Sequence, residues 1–298
     1  GSSLIGDNYN KAATFFWGDP DTGKTTMLNL MVRAVGEYGC YRNPDIFKST
    51  HLNPALASAL SMRIVGVAEM GDNEINSDLF KSITGGERIT CELKGKNNLI
   101  EDDAQFNLFI TTNGVPSVPK EDKAFRNRLR VIEFKHHATE RELKDGKQTQ
   151  RDLYKHGLTA CLAWLVEGCA KFEMEGLDPI PDEMLIAAEE FASKLSEIGV
   201  FAHEWIAKEQ YVTNPDGTIE ERFVRNEDLM THFETWAFAN NFDVKGWSST
   251  RLTQRMKDLG FRPGQKKVKV EGSTKSGASR GFWGIKLVKG KDDSNGQK

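Results

Sequence analysis

Ala13-Thr14-Phe15-Phe16-Trp17-Gly18-Asp19-Pro20-Asp21-Thr22-Gly23-Lys24-Thr25 is the stretch on which the fold turns. Its first five residues form a short apolar and aromatic run that predicts a strand. Gly18 to Thr25 then fits G-x-x-x-x-G-K-[ST] at every fixed position. Thr26-Met27-Leu28-Asn29-Leu30-Met31-Val32 follows with helical character. Strand, glycine loop and helix in this order are the context in which the motif binds a nucleoside triphosphate. Glycines let several backbone N–H groups face one anion, and the helix N-terminus adds its positive dipole end. Lys24 brings a cation to the β- and γ-phosphates, and Thr25 offers a hydroxyl to Mg²⁺. The expected cofactors are therefore a nucleoside triphosphate and Mg²⁺. Gly18, Asp19, Pro20, Asp21, Thr22, Gly23, Lys24, Thr25 and Thr26 form the expected cradle.

Such a site also needs an acid at the end of a neighbouring strand. Residues 62–68 (Met-Arg-Ile-Val-Gly-Val-Ala) read as a buried strand, and Glu69 ends it. Glu69 is expected to hold the metal through water or to orient the attacking water, so the metal set is Thr25 and Glu69. Residues 106–112 predict the next strand, ended by Asn113, whose amide suits positioning of that water and sensing of the γ-phosphate. Residues 129–134 predict another strand. Just before it lie Arg126 and Arg128, suited to reach a neighbouring subunit's γ-phosphate. That requires a head-to-tail ring with heterologous interfaces. Surface ion pairing is the plainer role open to these arginines. Strands alternating with helical stretches imply an α/β domain with a mostly parallel sheet.

The rest of the chain changes character. Leu158, Cys161, Leu162, Leu165 and Val166 recur at helical spacing, as do Ile186, Phe191, Leu195 and Ile198. Residues 139–210 thus read as a helical connector. Turn residues over 211–222 mark a boundary. Asn226 is placed to cap a helix through Leu229, Phe233, Trp236 and Ala237, and Ser248 or Ser249 another through Leu252, Met256 and Leu259. Lys267-Val268-Lys269-Val270, a polar loop, and residues 282–288 predict a hairpin. Two helices and a hairpin describe a winged helix over 211–288, with a flexible tail over 289–298. Residues 1–138 form the ATPase domain in this division.

Length and composition set outer bounds. A chain of 298 residues predicts about two domains. With 38% hydrophobic and 28% charged residues, a disordered or collagen-like chain is excluded. No uninterrupted apolar run approaches the roughly 18 residues of a membrane span, so no membrane partner is expected. Gly1-Ser2-Ser3 reads as a cloning remnant rather than a signal peptide. Cys40, Cys91, Cys161 and Cys169 make no C-x-x-C pair, which favours a reducing cytoplasm over a zinc knuckle or disulfide framework.

Charge is unevenly spread. Lys245–Lys298 holds 14 Lys or Arg against 4 Asp or Glu, a net of +10, which leaves 26 against 39, a net of −13, for residues 1–244. An acidic body with a basic end is the footprint of a nucleic-acid partner at that end. Arg251, Arg255 and Lys257 lie on the second expected helix; Arg262, Lys266, Lys267, Lys269, Lys275 and Arg280 decorate the hairpin. Arg251, Arg255, Lys266, Lys267 and Lys269 are the leading DNA contacts. Trp247, Phe261 and Trp283 are expected in the core rather than stacked on bases.

The P-loop, Glu69, Lys81-Ser82-Ile83-Thr84-Gly85-Gly86-Glu87, Asn113, then Phe125-Arg126-Asn127-Arg128-Leu129 resemble superfamily 3 helicases. More narrowly, they resemble the D5-like, P4-family primase-helicases of phages and plasmids. The Lys-x-x-Thr-Gly-Gly-acid stretch is the most specific cue. The resemblance implies an AAA+-like core in a hexameric ring moving on single-stranded DNA with 3′→5′ polarity, in bacterial host cytoplasm. It assigns the Walker A role to Gly18, Gly23, Lys24 and Thr25, the Walker B acid to Glu69, the sensor to Asn113, and the arginine finger to Arg126–Arg128, with Arg128 first. It also implies a pore hairpin between Gly86 and Phe106, where Lys94 and Lys96 would follow phosphates without reading bases. Two features depart from the pattern: Ala68 stands where many members carry a second acid, and Glu92 where a basic residue is common. Relatives carry primase-like regions ahead of the ATPase, so this chain is expected to be either an excised part or a reduced protein; no primase activity is assigned. The expected function is an ATP-dependent DNA helicase for replication of a mobile element, acting on single-stranded and forked DNA with replication-initiation partners. Alternatives are an ATP-gated DNA-binding assembly without processive unwinding, and a small-molecule phosphotransferase, for which no acceptor pocket or lid is recognisable.

Overall fold

Phe15 and Phe16 are neighbours in sequence, and both are almost wholly buried. Successive side chains of a strand point to opposite faces, so the strand carrying them is covered on both sides. This is the centre of a computed structural model that describes residues 1–8, 10–48, 54–71, 73–86, 88–92, 99–118, 122–137, 139, 150–269 and 276–288. The chain divides into two units, one of Gly1–Lys120 and Ala124–Leu195, the other of Ser196–Lys298 with Glu121–Lys123.

The first unit is built on a five-stranded parallel sheet. Its strands are β1 (Ala13–Trp17), β2 (Gly39–Arg42), β3 (Ile64–Val67), β6 (Asn107–Thr112) and β7 (Leu129–Glu133), ordered β2-β3-β6-β1-β7. On one face, Phe16 packs with Leu28, Met31 and Val32 of helix α1 (Lys24–Ala34) and with Cys161 and Leu165 of a later helix. On the other, Phe15 meets Phe80 and Phe191 at ring-centroid distances of 6.3 and 5.0 Å. Phe80 belongs to α2 (Ser77–Gly85), whose cap Asn76 accepts from the backbone N–H groups of Asp78 and Leu79. Lys81 to Gly85 form the last turn of α2, and Gly86 ends it with φ 70°. The paired glycines therefore act first as a helix stop. Between α2 and β6, β4 (Arg88–Glu92) pairs antiparallel with β5 (Leu99–Asp103). Lys94 and Lys96 lie outside the described residues, as do Glu87 and the expected tail 289–298.

Phe15→Ala is expected to cost about 3–5 kcal/mol, read as a lower urea midpoint. A loss below about 1 kcal/mol would contradict its place between two packed layers.

The connector expected over 139–210 is divided between the units. Helices α3 (Leu158–Glu175) and α4 (Asp182–Ser193) belong to the first. The helical spacing from Ile186 to Ile198 is interrupted: α5 (Glu197–Trp205) starts afresh, with Ser196 Oγ accepting from Gly199 N at 3.1 Å. A serine cap ends one helical repeat and opens another, which apolar periodicity by itself does not register.

The second unit contains α5, α6 (Asn226–Ala239) and α7 (Ser249–Asp258) around Phe201, Leu229, Phe233, Trp236, Leu252, Met256 and Phe282. Residues 211–222, expected as a boundary, instead contain a hairpin of β9 (Tyr211–Thr213) and β10 (Ile219–Glu221). Asn226 is the first residue of α6 rather than its cap; Arg225 holds that position, and Ser248 caps α7 as expected. β11 (Phe223–Arg225), β12 (Arg262–Lys269) and β13 (Ser276–Trp283) form an antiparallel sheet ordered β11-β13-β12. The strand expected over 282–288 breaks at Gly284, φ 74°. Beyond it, β14 (Ile285–Leu287) turns to pair with β8 (Ile206–Lys208). No helix among the described residues is long and apolar enough to cross a membrane.

Candidate nucleotide site and nucleic-acid surface

Parallel register assembles the first site. Trp17 pairs with Thr112 and Val67 with Ile110, so the chain leaves β1, β3 and β6 at one edge of the sheet. Ligands of open α/β sheets bind at the carboxyl ends of the strands, and these three ends supply the site. A cavity of about 380 Å³ lies there, lined by Pro20–Thr26, Glu69, Gly71, Thr111, Thr112, Asn113 and Gln150. Tertiary structure thus unites Lys24, Glu69 and Asn113, which lie in three separate segments.

Local chemistry shapes each wall. Gly18 has φ 147°, and a Cβ there would lie 2.4 Å from the carbonyl oxygen of Phe134. Gly23 has φ 89° with nothing within 4 Å of a Cβ, so conformation rather than space requires glycine. No side chain caps α1. Its first-turn N–H groups therefore face outward without an intrahelical partner, as an anion cradle requires. Asp21 (φ 60°) also takes left-handed backbone, as does Glu69 (φ 56°). For a residue with a Cβ this costs about 1–3 kcal/mol, and such strain concentrates at functional sites. Glu69 is held there by its N–H donating to Thr111 Oγ1 at 3.2 Å and by Met70 N donating to Thr111 O at 3.0 Å.

Lys24 is 5% exposed. Its ammonium donates to Gly18 O at 2.8 Å, to Asp19 O and to Thr22 Oγ1 at 3.1 Å. Burial lowers its pKa below the ordinary lysine value, opposed by the charges of Asp19 and Asp21. Its bonding partners are uncharged, so the positive charge is not matched by a direct carboxylate bond. Thr112 Oγ1 donates to Gly114 O at 2.6 Å, which shapes the turn that presents Asn113.

These residues fit a triphosphate and its cation. Uncapped N–H groups and a buried ammonium suit phosphate oxygens; the Thr25 hydroxyl and Glu69 carboxylate are hard oxygen donors suited to Mg²⁺. No cluster of three or more His, Cys, Asp or Glu occurs among the described residues, so such an ion would share its coordination with phosphate and water.

Arg126 and Arg128 do not line this cavity. Arg126 Nη2 donates to Ala192 O at 3.1 Å, and Arg128 Nη1 to Ala124 O at 2.8 Å, while Arg128 Nε is buried with no hydrogen-bond partner. Sequence reading missed four lining residues: Gly71, Thr111 and Thr112, which neighbour Glu69 and Asn113 in the chain, and Gln150, which neighbours no site segment. Gln150 carries no charge and belongs to no motif, and its partner Thr26 is 124 positions away.

In the second unit, several cations counted from sequence are engaged within the chain. Arg251 lies 4.5 Å from the Trp247 ring centroid and donates to Gly246 O; Lys266 pairs with Glu220 at 2.9 Å; Arg255 lies 3.5 Å from Asp258. Lys267 is exposed, and the side chain of Lys269 is outside the described residues. A polar groove of about 610 Å³ runs between α7 and the β12–β13 pair, lined by Ser249, Thr250, Thr253, Gln254, Lys257, Gln265 and Arg280, among others. Trp247 and Phe261 pack against the core, and Trp283 lies 4.6 Å from Phe223.

Residues 16–128 match the profile of a family described as a family of unknown function (DUF5906). The chain is 23% identical over 260 residues to "Putative helicase 022R" of Frog virus 3 (isolate Goorha), covering 80% of this chain and 26% of that protein. It is 29% identical over 157 residues to "Putative helicase L207/L206" of Acanthamoeba polyphaga mimivirus, covering 48% of this chain and 16% of that protein. The chain thus spans about a quarter or less of these relatives. Among solved structures, the apo C-terminal region of NrS-1 aligns with 92% of this chain and 66% of its own, at 13% identity and a TM-score of 0.39.

Proposed function

We propose that this chain is the motor part of an ATP-dependent DNA helicase that serves replication of a viral or other mobile genome. The observation that carries the proposal is the single cavity joining the P-loop to Glu69 and Asn113 at the ends of two neighbouring strands. Similarity to two viral proteins named as helicases supports it.

Lys24 and the first turn of α1 hold the triphosphate, and Thr25 with Glu69 holds Mg²⁺. Glu69 and Asn113 orient the attacking water, with Glu69 accepting its proton. Arg128, with Arg126 beside it, reaches the γ-phosphate of an adjacent copy and stabilises charge in the transition state. The core is AAA+-like, of the superfamily 3, D5/P4 kind, and works as a hexameric ring. Lys94 and Lys96, which fall between β4 and β5 in the sequence, contact single-stranded DNA in the ring's pore.

The second unit acts as a winged helix. Lys257 and Arg280 join Arg251, Arg255, Lys266, Lys267 and Lys269 as its phosphate contacts. Engagement of several of these within the chain moves the weight toward the polar groove.

ATPase and unwinding assays on one preparation test the reading. Single-stranded DNA is expected to stimulate hydrolysis, and Mg²⁺-ATP to drive separation of a forked duplex. Nucleotide-dependent binding of the fork without strand separation would replace the motor with an ATP-gated DNA-binding assembly. Hydrolysis indifferent to DNA would remove both.

A further inference from the structure

Resting on the nucleotide reading above, we propose that Gln150 recognises the base of the bound nucleotide and selects adenine over guanine. Gln150 is brought to the cavity from far along the chain. Its Nε2 donates to Thr26 Oγ1 at 2.9 Å across 124 residues. A second tie holds the same helical stretch, residues 150–156, against α1: the Arg33 guanidinium lies 4.5 Å from the Tyr154 ring centroid. The two ties lie two helical turns apart along α1 and one turn apart along 150–156. They hold Gln150 at the phosphate end of α1.

Position along the loop gives the end of the ligand that Gln150 meets. Lys24 belongs to the β- and γ-phosphates, and Glu69 and Asn113 to the attacking water beyond them. Thr26, one residue deeper into α1 than Thr25, lies toward the α-phosphate. A side chain bonded to Thr26 therefore faces the nucleoside half.

Hydrogen-bond inventory narrows the partner further. A glutamine amide has two N–H donors and one carbonyl acceptor. With one N–H given to Thr26, the other N–H and Oε1 form an adjacent donor–acceptor pair. That pair matches N7 and the N6 amine of adenine. Guanine presents acceptors at both N7 and O6, so its O6 would confront Oε1. Among the described residues, none lining the cavity is aromatic, so the proposed base contact rests on hydrogen bonding.

The test measures affinity of the full chain for ATP, GTP and 7-deaza-ATP by competition against a fluorescent nucleotide, with KM and kcat for each. Wild type is expected to prefer ATP, and to lose affinity for 7-deaza-ATP, which lacks the N7 acceptor. Gln150→Ala should weaken ATP about 5- to 150-fold and leave GTP within about twofold, with kcat at saturation largely kept. This variant should no longer distinguish ATP from 7-deaza-ATP. Gln150→Glu, which keeps the acceptor but loses both donors, should also lose the N7 dependence. Equal weakening of ATP and GTP by Gln150→Ala, or an unaltered ATP-to-GTP ratio, would overturn base recognition while leaving the nucleotide site standing. Failure of wild type to bind any nucleotide would instead sink the site itself.

Discussion

Lys24→Ala is expected to reduce ATP hydrolysis to background while the protein stays folded. The ammonium is the buried cation of the site, held by two carbonyl oxygens and the Thr22 hydroxyl. Methyl at this place removes the one ammonium that this chain offers the β- and γ-phosphates. Removing one such donor from a preorganised site typically costs about 10²–10³ in rate, and the loss here includes a full charge. Gly18 O and Thr22 Oγ1 lose their donor as well, while Asp19 O keeps the Thr22 hydroxyl at 2.8 Å, so about 1–3 kcal/mol of stability should go too. Circular dichroism and a urea midpoint separate that loss from unfolding. A folded variant that still turns over ATP near the wild-type rate would remove the P-loop from the chemistry.

Arg128→Ala should leave ATP affinity near normal and lower hydrolysis by about 10³–10⁵, the range for an arginine supplied in trans. The residue stands outside the cavity of its own chain, and Nε is buried with no partner. Losing its bond to Ala124 O should cost stability only about 1 kcal/mol. The decisive measurement mixes two inactive proteins. Arg128→Ala subunits retain an intact P-loop, and Lys24→Ala subunits retain the arginine, so mixed assemblies contain some complete sites. Recovery of hydrolysis on mixing is expected. Absence of recovery, or unimpaired hydrolysis by Arg128→Ala alone, would exclude the shared site.

The parts legible in the sequence share a physical cause. A parallel strand covered on both faces must be apolar nearly throughout. β1, β3 and β6 therefore stand out as short apolar runs, and the edge strand β7 as an alternation of buried Leu129 and Val131 with Arg130, all found within about two residues of their ends. β2 escaped because Gly39-Cys40-Tyr41-Arg42 is a half-buried edge strand without that run. The break at Ser196 escaped because capping depends on one side-chain bond, not on periodicity. Charge was legible as a count along the basic end. Its disposition was not: Lys266 meets Glu220 across 46 residues, and Arg251 over Trp247, though only four positions apart, depends on where the Trp247 ring packs.

The sequence by itself determined a glycine loop between strand and helix, with a lysine and a hydroxyl at its helical end, because these are local features carried by consecutive residues. It also determined which segments must be buried, since apolar runs admit few other placements in water. Only the tertiary structure decided that Glu69, Asn113 and Gln150 face one cavity with Lys24, that Arg126 and Arg128 stay out of it, and that Glu220 engages Lys266. Those outcomes depend on strand register and on contacts between distant parts of the chain, and no local pattern encodes either.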